Sequence, residues 1–349
     1  MQTMWIWDEK GKKKIEDKPK NYYSLEHFPK IKGYNLEGEF DFSTFLESYT
    51  QMGFQGSNLG IGIQLFKEMI AKKKKRNIKL FLAFTGNMIS SGNRELITYL
   101  VKNNLVDGIT TTAAALEEDL IKCVKPFHLG NFEVKGEFLQ QESIGRIGNI
   151  FVPYDRYLYL EKVLNNYFAT LDVNKVLSTH EFASGLGKHI EKDEATKKKH
   201  QESFLYWANK NNIPVFCPGI TDGAIGDIST FFKKNNPSFA IDSVKDNVVL
   251  TDLLMHSEEA GSIILGGGIA KHFLLNAAIF RDGFEESIYI TTATEFDGSD
   301  SGGNQEEAIS WSKIKPTAQR IKIVADATIV FPLLMAATIA KKMDTRTHK

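Results

Sequence analysis

Cysteine is nearly absent: Cys123 and Cys217 are the only two in 349 residues, and no CxxC pair occurs. That excludes a disulfide-stapled scaffold and points to a reduced, cytoplasmic protein. No apolar run approaches the ~18 residues that cross a bilayer. The first residues, MQTMWIWDEKGKKKIEDKPK, lack the apolar stretch of a signal peptide. Net charge is missing too, with 43 Lys+Arg against 43 Asp+Glu. Such a balance leaves no basic footprint for nucleic acid and favours self-association over repulsion. The eight histidines are scattered, without HxxxH or a Cys/His cluster at ligand spacing, so no metal is expected. A GxSxG nucleophile motif is also lacking.

What is present is a chain that is 42% hydrophobic, enough for a sizeable core. Residues 1–33 are Lys-rich and irregular, with Pro19 and Pro29, and read as an N-terminal extension. Residues 34–343 read as one α/β domain, and 344–349 as a tail. The run Lys72–Arg76 (KKKKR) resembles a nuclear-localisation or nucleic-acid patch. It follows the helical stretch IQLFKEMI, however, and cations suit a helix C-terminus, so a solvated helix end is the expectation. Lys188–His200 mixes charges of both signs and reads as a surface loop or exposed helix end.

From about residue 77 a pattern recurs without sequence repetition: a short apolar run, a small or polar turn, then a helical stretch. The runs are IKLFLAF (78–84), VDGITTT (106–112), IPVFCPG (213–219), GSIILGGG (261–268), SIYITTA (287–293) and IKIVADA (321–327). Short buried strands alternating with helices predict a doubly wound, mostly parallel sheet. Ligands of such sheets bind outside the carboxyl ends of the strands. The segments that follow the runs are FTGNMISSG, TTAAALEED, ITDGAIGD, GGGIAKH, TTATEFDGSDSGG and ADAT. All are rich in small residues, and most carry acids.

Several residues there bear chemistry. Gly266–Gly268, between a strand and a helix, suit either a phosphate against backbone amides or a tight turn. TEFDGSDSGG gathers Glu295, Asp297 and Asp300 with Ser299 and Ser301. It lacks the terminal Glu of a calcium loop, and carboxylates there suit ammonium groups or ribose hydroxyls. In EEAISWSKI, helical spacing puts Glu307 and Trp311 on one face, a site for an organic cation; a buried Trp with a surface Glu is the plainer alternative. A lone lysine such as Lys313 is usually solvated, but beside a cation site its amine can form an imine with a carbonyl or another imine. His272, one turn into the helix after the glycines, is either a core histidine or a general acid/base. Asp222 and Asp227 flank a glycine turn and can face one cavity or simply form the turn.

Taken in order, SSGNRELITYLVKNNLVDGITTTAAALEEDLIKC, GRIGNIFVP, IPVFCPGITDGAIGD, IILGGGIAKH, EFDGSDSGG, EEAISWSKI and ADATIVFPLL resemble deoxyhypusine synthase, over residues from about 31 to 343. SWSKI after EFDGSDSGG is the sharpest part. The resemblance implies a Rossmann-like fold and a homotetramer with active sites at subunit interfaces. It also implies NAD as cofactor and transfer of the 4-aminobutyl group of spermidine, through an enzyme-lysine imine, to a lysine of translation initiation factor 5A precursor. 1,3-Diaminopropane is released. The family's nucleophilic lysine matches Lys313. Its spermidine set matches Asp227, His272, Asp300, Glu307 and Trp311, with Gly298, Ser299, Asp300 and Ser301 lining the pocket. Its NAD set matches Asn87, Ser90, Thr112, Glu118, Asp222, Gly267, Gly268, Thr292, Ala293, Asp297 and Asp326.

The chain departs from the family pattern at a few positions. Gly86 stands where Ser is usual, Ala114–Ala115 where Gly-Gly is usual, and Ser312 where Gly precedes the lysine. Two other functions share these motifs. Homospermidine synthase keeps the same lysine and polyamine pocket but delivers to putrescine. A non-catalytic paralog that scaffolds active subunits is opposed by intact Lys313, His272, Trp311 and Glu307.

Overall fold

The computed structural model describes residues 28–339, together with the backbone of Ile6–Trp7 and Lys13–Lys14, two short strands paired antiparallel. Most of the expected extension over residues 1–33, and all of the tail over 344–349, lies outside the described residues.

Each of the six apolar runs contributes one strand. These are β1 (Lys79–Phe84), β2 (Gly108–Thr110), β3 (Val215–Phe216), β4 (Ala260–Leu265), β5 (Phe284–Thr291) and β6 (Ile314–Val324). They form one sheet in the order β6-β5-β4-β1-β2-β3, with every neighbouring pair parallel. Alternate side chains enter two cores. Leu80, Leu82 and Phe84 of β1 face one, while Phe81 and Ala83 face the other. A sheet buried on both faces needs apolar residues on both, which is why the strands read as continuous runs.

Helices close both faces. Helices α1 (Phe54–Lys74), α2 (Ala113–Val124), α3 (Thr179–Ile190) and α4 (Ala224–Asn235) contribute Phe66, Leu116, Phe182 and Ile225 to the first core. Helices α5 (Val244–Met255), α6 (Gly268–Ala278) and α7 (Gln305–Ser310) supply Leu250, Leu274 and Ala308 to the second. The last helix, α8 (Ala327–Ile339), returns to the first face through Phe331 and Leu334. Among the described residues no helix is long and apolar enough to cross a membrane.

Two details seal the sheet. On the edge strand β6, the Val324 N–H donates to Gln55 Oε1 at 2.7 Å, and the Lys322 carbonyl accepts from Asn58 Nδ2 at 3.0 Å. Both partners lie in the first turns of α1, so the edge has no free ladder there. The lysine run does end α1, but it is not merely solvated. Lys72 pairs with Glu259 at 2.9 Å and Glu286 at 2.6 Å, and Lys73 with Asp107 at 2.7 Å. These pairs fasten the helix end to the amino ends of β4, β5 and β2, while Lys74, Lys75 and Arg76 are exposed.

One element escaped the sequence reading. His128–Leu129, Ile144–Ile147 and Ile150–Pro153 form a small antiparallel sheet. Its signal was present in IGNI: Gly148–Asn149 makes a two-residue hairpin turn, with Gly148 at φ 59°.

The buried polar knot of the first face joins α2 to its neighbours. Arg94 Nε donates to Asp119 Oδ1 at 2.7 Å, and Asp119 Oδ2 accepts from Ser203 Oγ at 2.5 Å and Leu205 N at 3.1 Å. Both members of the ion pair are buried. Removing Asp119 leaves the buried Arg94 only the more distant Glu202 carboxylate, 3.8 Å away, and breaking such a buried pair costs about 3–5 kcal/mol. Asp119→Ala should lose that much stability in urea unfolding; a loss below about 1 kcal/mol would contradict the role given to this knot.

Candidate functional site

Because all six strands are parallel, their carboxyl ends share one edge. Gly86, Asn87 and Ser90 follow β1, Thr112 and Glu118 follow β2, and Asp222 and Asp227 follow β3. Gly267 and Gly268 follow β4, Thr292 to Ser301 follow β5, and Asp326 follows β6. The order in which strands are added reverses between β1 and β4, which is where doubly wound sheets open a ligand crevice. The loops meet there: a Cβ on Gly266 would stand 3.5 Å from Thr85 Oγ1. A side chain on Gly267 would collide with Ser301, so only glycine lets the β4 and β5 loops approach this closely.

Carboxylates line this edge. Ser90 Oγ donates to Glu118 Oε2 at 2.5 Å. The Lys122 ammonium donates to the carbonyls of Ile89, Ser90 and Ser91 at 2.6, 2.7 and 3.1 Å, holding that loop against α2. Burial pushes the Glu118 carboxyl up to about 7, against the pull of Ser90 and Lys122. Burial likewise pushes Glu117 up to about 7, opposed by the Ile225 N–H and reinforced by the charges of Asp222 and Asp227. Both aspartates thus lie within electrostatic reach of Glu117. Asp222 Oδ1 also accepts from the Ala113 N–H at 3.3 Å. Asp297 accepts from the Ser299 N–H at 2.8 Å and its hydroxyl at 2.7 Å, which holds its carboxyl below the usual range. Asp326 is exposed and accepts from Thr328 N and Oγ1, both at 2.7 Å, at the start of α8.

A second group lies along the second face. His272 Nδ1 and Asp300 Oδ1 are 2.9 Å apart. Between them and the sheet sits Lys271, which the sequence reading passed over. It is only 4% exposed, its ammonium donates to the carbonyls of Asp300 and Gly303, and it lies 5.0 Å over the Tyr289 ring. Burial lowers its proton affinity; Asp300 and Glu307 oppose that, while Lys322 and Lys313 reinforce it. Asp300, Glu307 and Lys313 are thus all within electrostatic reach of one buried amine. The other carboxylate oxygen of Asp300, Oδ2, is closed to solvent and accepts no hydrogen bond among the described residues.

Helix α7 fixes Lys313. Asn304 caps its start, accepting from the Glu307 N–H at 3.0 Å. It ends at Ser310, so Trp311 is the C-cap rather than a member of the helical face, and it is 64% exposed. Ser312 N donates to Ile309 O and Lys313 N to Ala308 O, both at 2.9 Å, with Ser312 left-handed at φ 56°. This is the paired-bond helix stop whose left-handed position glycine usually fills. The Lys313 carbonyl then accepts from Phe284 N at 3.1 Å, at the amino end of β5. Thr292 and Ala293 lie beyond the opposite end, roughly 23 Å along the strand. The main chain of Lys313 is therefore not brought to the carboxyl edge of its own chain.

Among the described residues no three His, Cys, Asp or Glu side chains are arranged to hold a metal ion. The family model for deoxyhypusine synthase matches residues 44–338. This chain belongs to the deoxyhypusine synthase family. A relative from Methanocaldococcus jannaschii, named probable deoxyhypusine synthase, is 45% identical over 87% of this chain and 95% of its own. Deoxyhypusine synthase of Musa acuminata is 40% identical over 95% of this chain and 93% of its own. A crystal structure from Entamoeba histolytica that bears the same family name superposes with a TM-score of 0.61 at 27% identity, covering 88% and 96% of the two chains. An enzyme of deoxyhypusine synthase type is a transferase of hypusine biosynthesis.

The raised carboxyls at the edge give the protein a pH signature. The folded state holds the protons of Glu117 and Glu118 up to about 7, whereas the ordinary value is 4.5. Their contribution to stability is therefore complete below pH 4.5 and lost as pH rises through about 7. Glu118→Gln removes one titration, so the fall in Tm between about pH 5 and pH 8 should be smaller than in the unmodified protein. Equal slopes in the two proteins would count against a buried, protonated Glu118.

Proposed function

We propose that the chain transfers the 4-aminobutyl group of spermidine to one lysine of translation initiation factor 5A precursor, with Lys313 as covalent relay and NAD as cofactor. The observation that carries this reading is the Asp300 carboxylate, with Oδ1 2.9 Å from His272 Nδ1, on the same loop-and-helix segment as Glu307 and the exposed Trp311. Carboxylates beside an indole suit an organic cation. Glu307 and the indole face add charge pairing and cation–π contact for further ammonium groups.

The carboxyl edge fits a dinucleotide. Gly267 and Gly268 give backbone access at the start of α6, and a Cβ on Gly268 would meet nothing within 4 Å. Asn87, Ser90, Thr112, Glu118, Asp222, Thr292, Ala293, Asp297 and Asp326 supply hydroxyls, amides and carboxylates for ribose and nicotinamide. NAD held there would supply a reversible hydride acceptor for the carbon attached to the amine nitrogen, with no net redox change over the whole transfer. Asp227, Asp300 and Glu307 hold the amine nitrogens, with Gly298, Ser299 and Ser301 shaping the pocket. His272, oriented by Asp300, moves the proton at the secondary nitrogen. The Lys313 amine displaces 1,3-diaminopropane from the oxidised carbon, carries the aminobutyl unit as an imine, and yields it to the acceptor lysine.

The separation of the Lys313 main chain from the carboxyl edge of its own chain favours a site shared between copies. Exposed Trp311 and Phe296 give a second copy apolar surface to cover, in keeping with a homotetramer. A soluble, cytoplasmic enzyme that binds neither nucleic acid nor membrane completes the reading.

Label from spermidine, followed in the presence of NAD with either the factor 5A precursor or putrescine, tests the acceptor. Label on one lysine of the factor is expected. Label on putrescine instead would make the enzyme a homospermidine synthase, and label on neither would overturn the reading.

The relay has its own test. Imine chemistry needs a neutral primary amine, which a guanidinium does not provide. Lys313→Arg should keep binding NAD and spermidine but lose transfer to any acceptor. Borohydride should trap a butylamine adduct on Lys313 of the unmodified enzyme. An adduct on Lys315 would place the relay on the wrong residue.

A further inference from the structure

The departures at Gly86 and Ala114 lie in two loops that are distant in sequence, after β1 and β2. In space they touch. A Cβ built on Gly86 would stand 2.5 Å from the Ala114 methyl and 3.3 Å from the Ala114 carbonyl carbon and the Ala115 nitrogen. Carbon atoms in contact settle near 3.5–4.0 Å, so about 1 Å would have to be absorbed by moving one loop. Neither loop yields easily. Gly86 is buried, its N–H donates to Thr112 Oγ1 at 3.1 Å, and its carbonyl accepts from the Ile89 N–H at 2.7 Å and the Ser90 N–H at 3.0 Å. On the other side, Ala114 lies in the first turn of α2, whose start is tied to Asp222 through the Ala113 N–H.

We infer that Gly86 and Ala114 are one compensated exchange: the methyl of Ala114 fills the space that a side chain at position 86 would need, and the pair sets the spacing of the β1 and β2 loops. The residues that those loops present to the cleft are Asn87 and Ser90 on one side and Thr112 and Glu118 on the other. Two of them are joined to the pair directly, through Thr112 Oγ1 and the Ser90 N–H. Gly86 and Ala114 are therefore positioning residues for the cofactor. They touch neither the relay lysine nor the Asp300 pocket. A serine at position 86 fits these two loops only where position 114 lacks a side chain.

This inference rests on the NAD reading, and a four-member cycle separates the two. NAD affinity by calorimetry, KM for NAD, KM for spermidine and Tm are measured for the unmodified enzyme, Gly86→Ser, Ala114→Gly and the double variant. Gly86→Ser alone should weaken NAD binding and raise its KM at least tenfold, with KM for spermidine changed less than threefold. The double variant should recover NAD affinity to within threefold of the unmodified enzyme. If Gly86→Ser does not fold, a folded double variant supports the exchange through the rescue itself, and an unfolded double variant overturns it. Full NAD affinity in Gly86→Ser overturns it, as does a double variant no better than Gly86→Ser. An unmodified enzyme that binds no NAD would sink the cofactor reading instead. Recovery of Tm in the double variant would then still decide whether the two positions are sterically coupled.

Discussion

A six-stranded parallel sheet buried on both faces is the constraint on which everything else depends. Its strands carry mostly apolar side chains, and the few buried polar ones, such as Glu286, Ser262 and Ser287, are taken by Lys72 or by each other, so the candidate groups lie in the loops that leave the sheet. Parallel direction sends the loops after all six strands to one edge, and the reversal between β1 and β4 parts two of them into a crevice. The edge strand would still expose a ladder, and Gln55 and Asn58 of α1 close it from the side. The same helix is pinned at its other end by Lys72 and Lys73 to the amino ends of the strands. Scaffold polarity is thus divided: ion pairs hold the amino edge shut, and acids with glycines leave the carboxyl edge free for ligand.

The acids are not one cluster but two, in different surroundings. Glu117 and Glu118 are buried near other carboxylates, and both are pushed toward the neutral form. A protonated carboxyl can donate as well as accept, which suits hydroxyl partners. Asp300 and Glu307, by contrast, surround the buried Lys271, whose ammonium is held by two backbone carbonyls rather than by a carboxylate. Among the described residues Asp300 Oδ2 accepts no hydrogen bond.

Much of this was legible in the sequence because burial on two faces writes an unambiguous signal. Each apolar run became a strand, and each small-residue segment after a run became an edge loop. The hairpin around Gly148 was missed because its strands are half-exposed and only four residues or fewer long, so periodicity is weak. Lys271 was missed for a different reason. Within GGGIAKH nothing distinguishes a lysine aimed into the second core from one in water; only the packing of the Asp300–Gly303 loop over α6 decides it. Helical spacing suggested that Glu307 and Trp311 share a face, but the chain leaves the helix at Ser310. What stopped it is a backbone hydrogen-bond pattern that side-chain spacing does not encode.

That stop bears on how the lysine proposed as relay is held. Ser312 occupies a left-handed conformation that costs a residue with a side chain roughly 1–2 kcal/mol. The cost is offset locally, because the amides of Ser312 and Lys313 satisfy the carbonyls of Ile309 and Ala308 that the helix would otherwise leave open. The Lys313 carbonyl is taken in turn by Phe284 of β5. Both main-chain polar groups of the lysine are therefore fixed by the helix end and the strand start, and no hydrogen bond or ion pair among the described residues holds its side chain. Rigid backbone and free amine are what a relay requires: the nitrogen must reach a donor carbon and later an acceptor amine, while its anchor stays in register with the pocket acids. Ser312 thus carries a left-handed cost that a glycine would avoid, while the hydrogen bonds that fix the Lys313 backbone are all made.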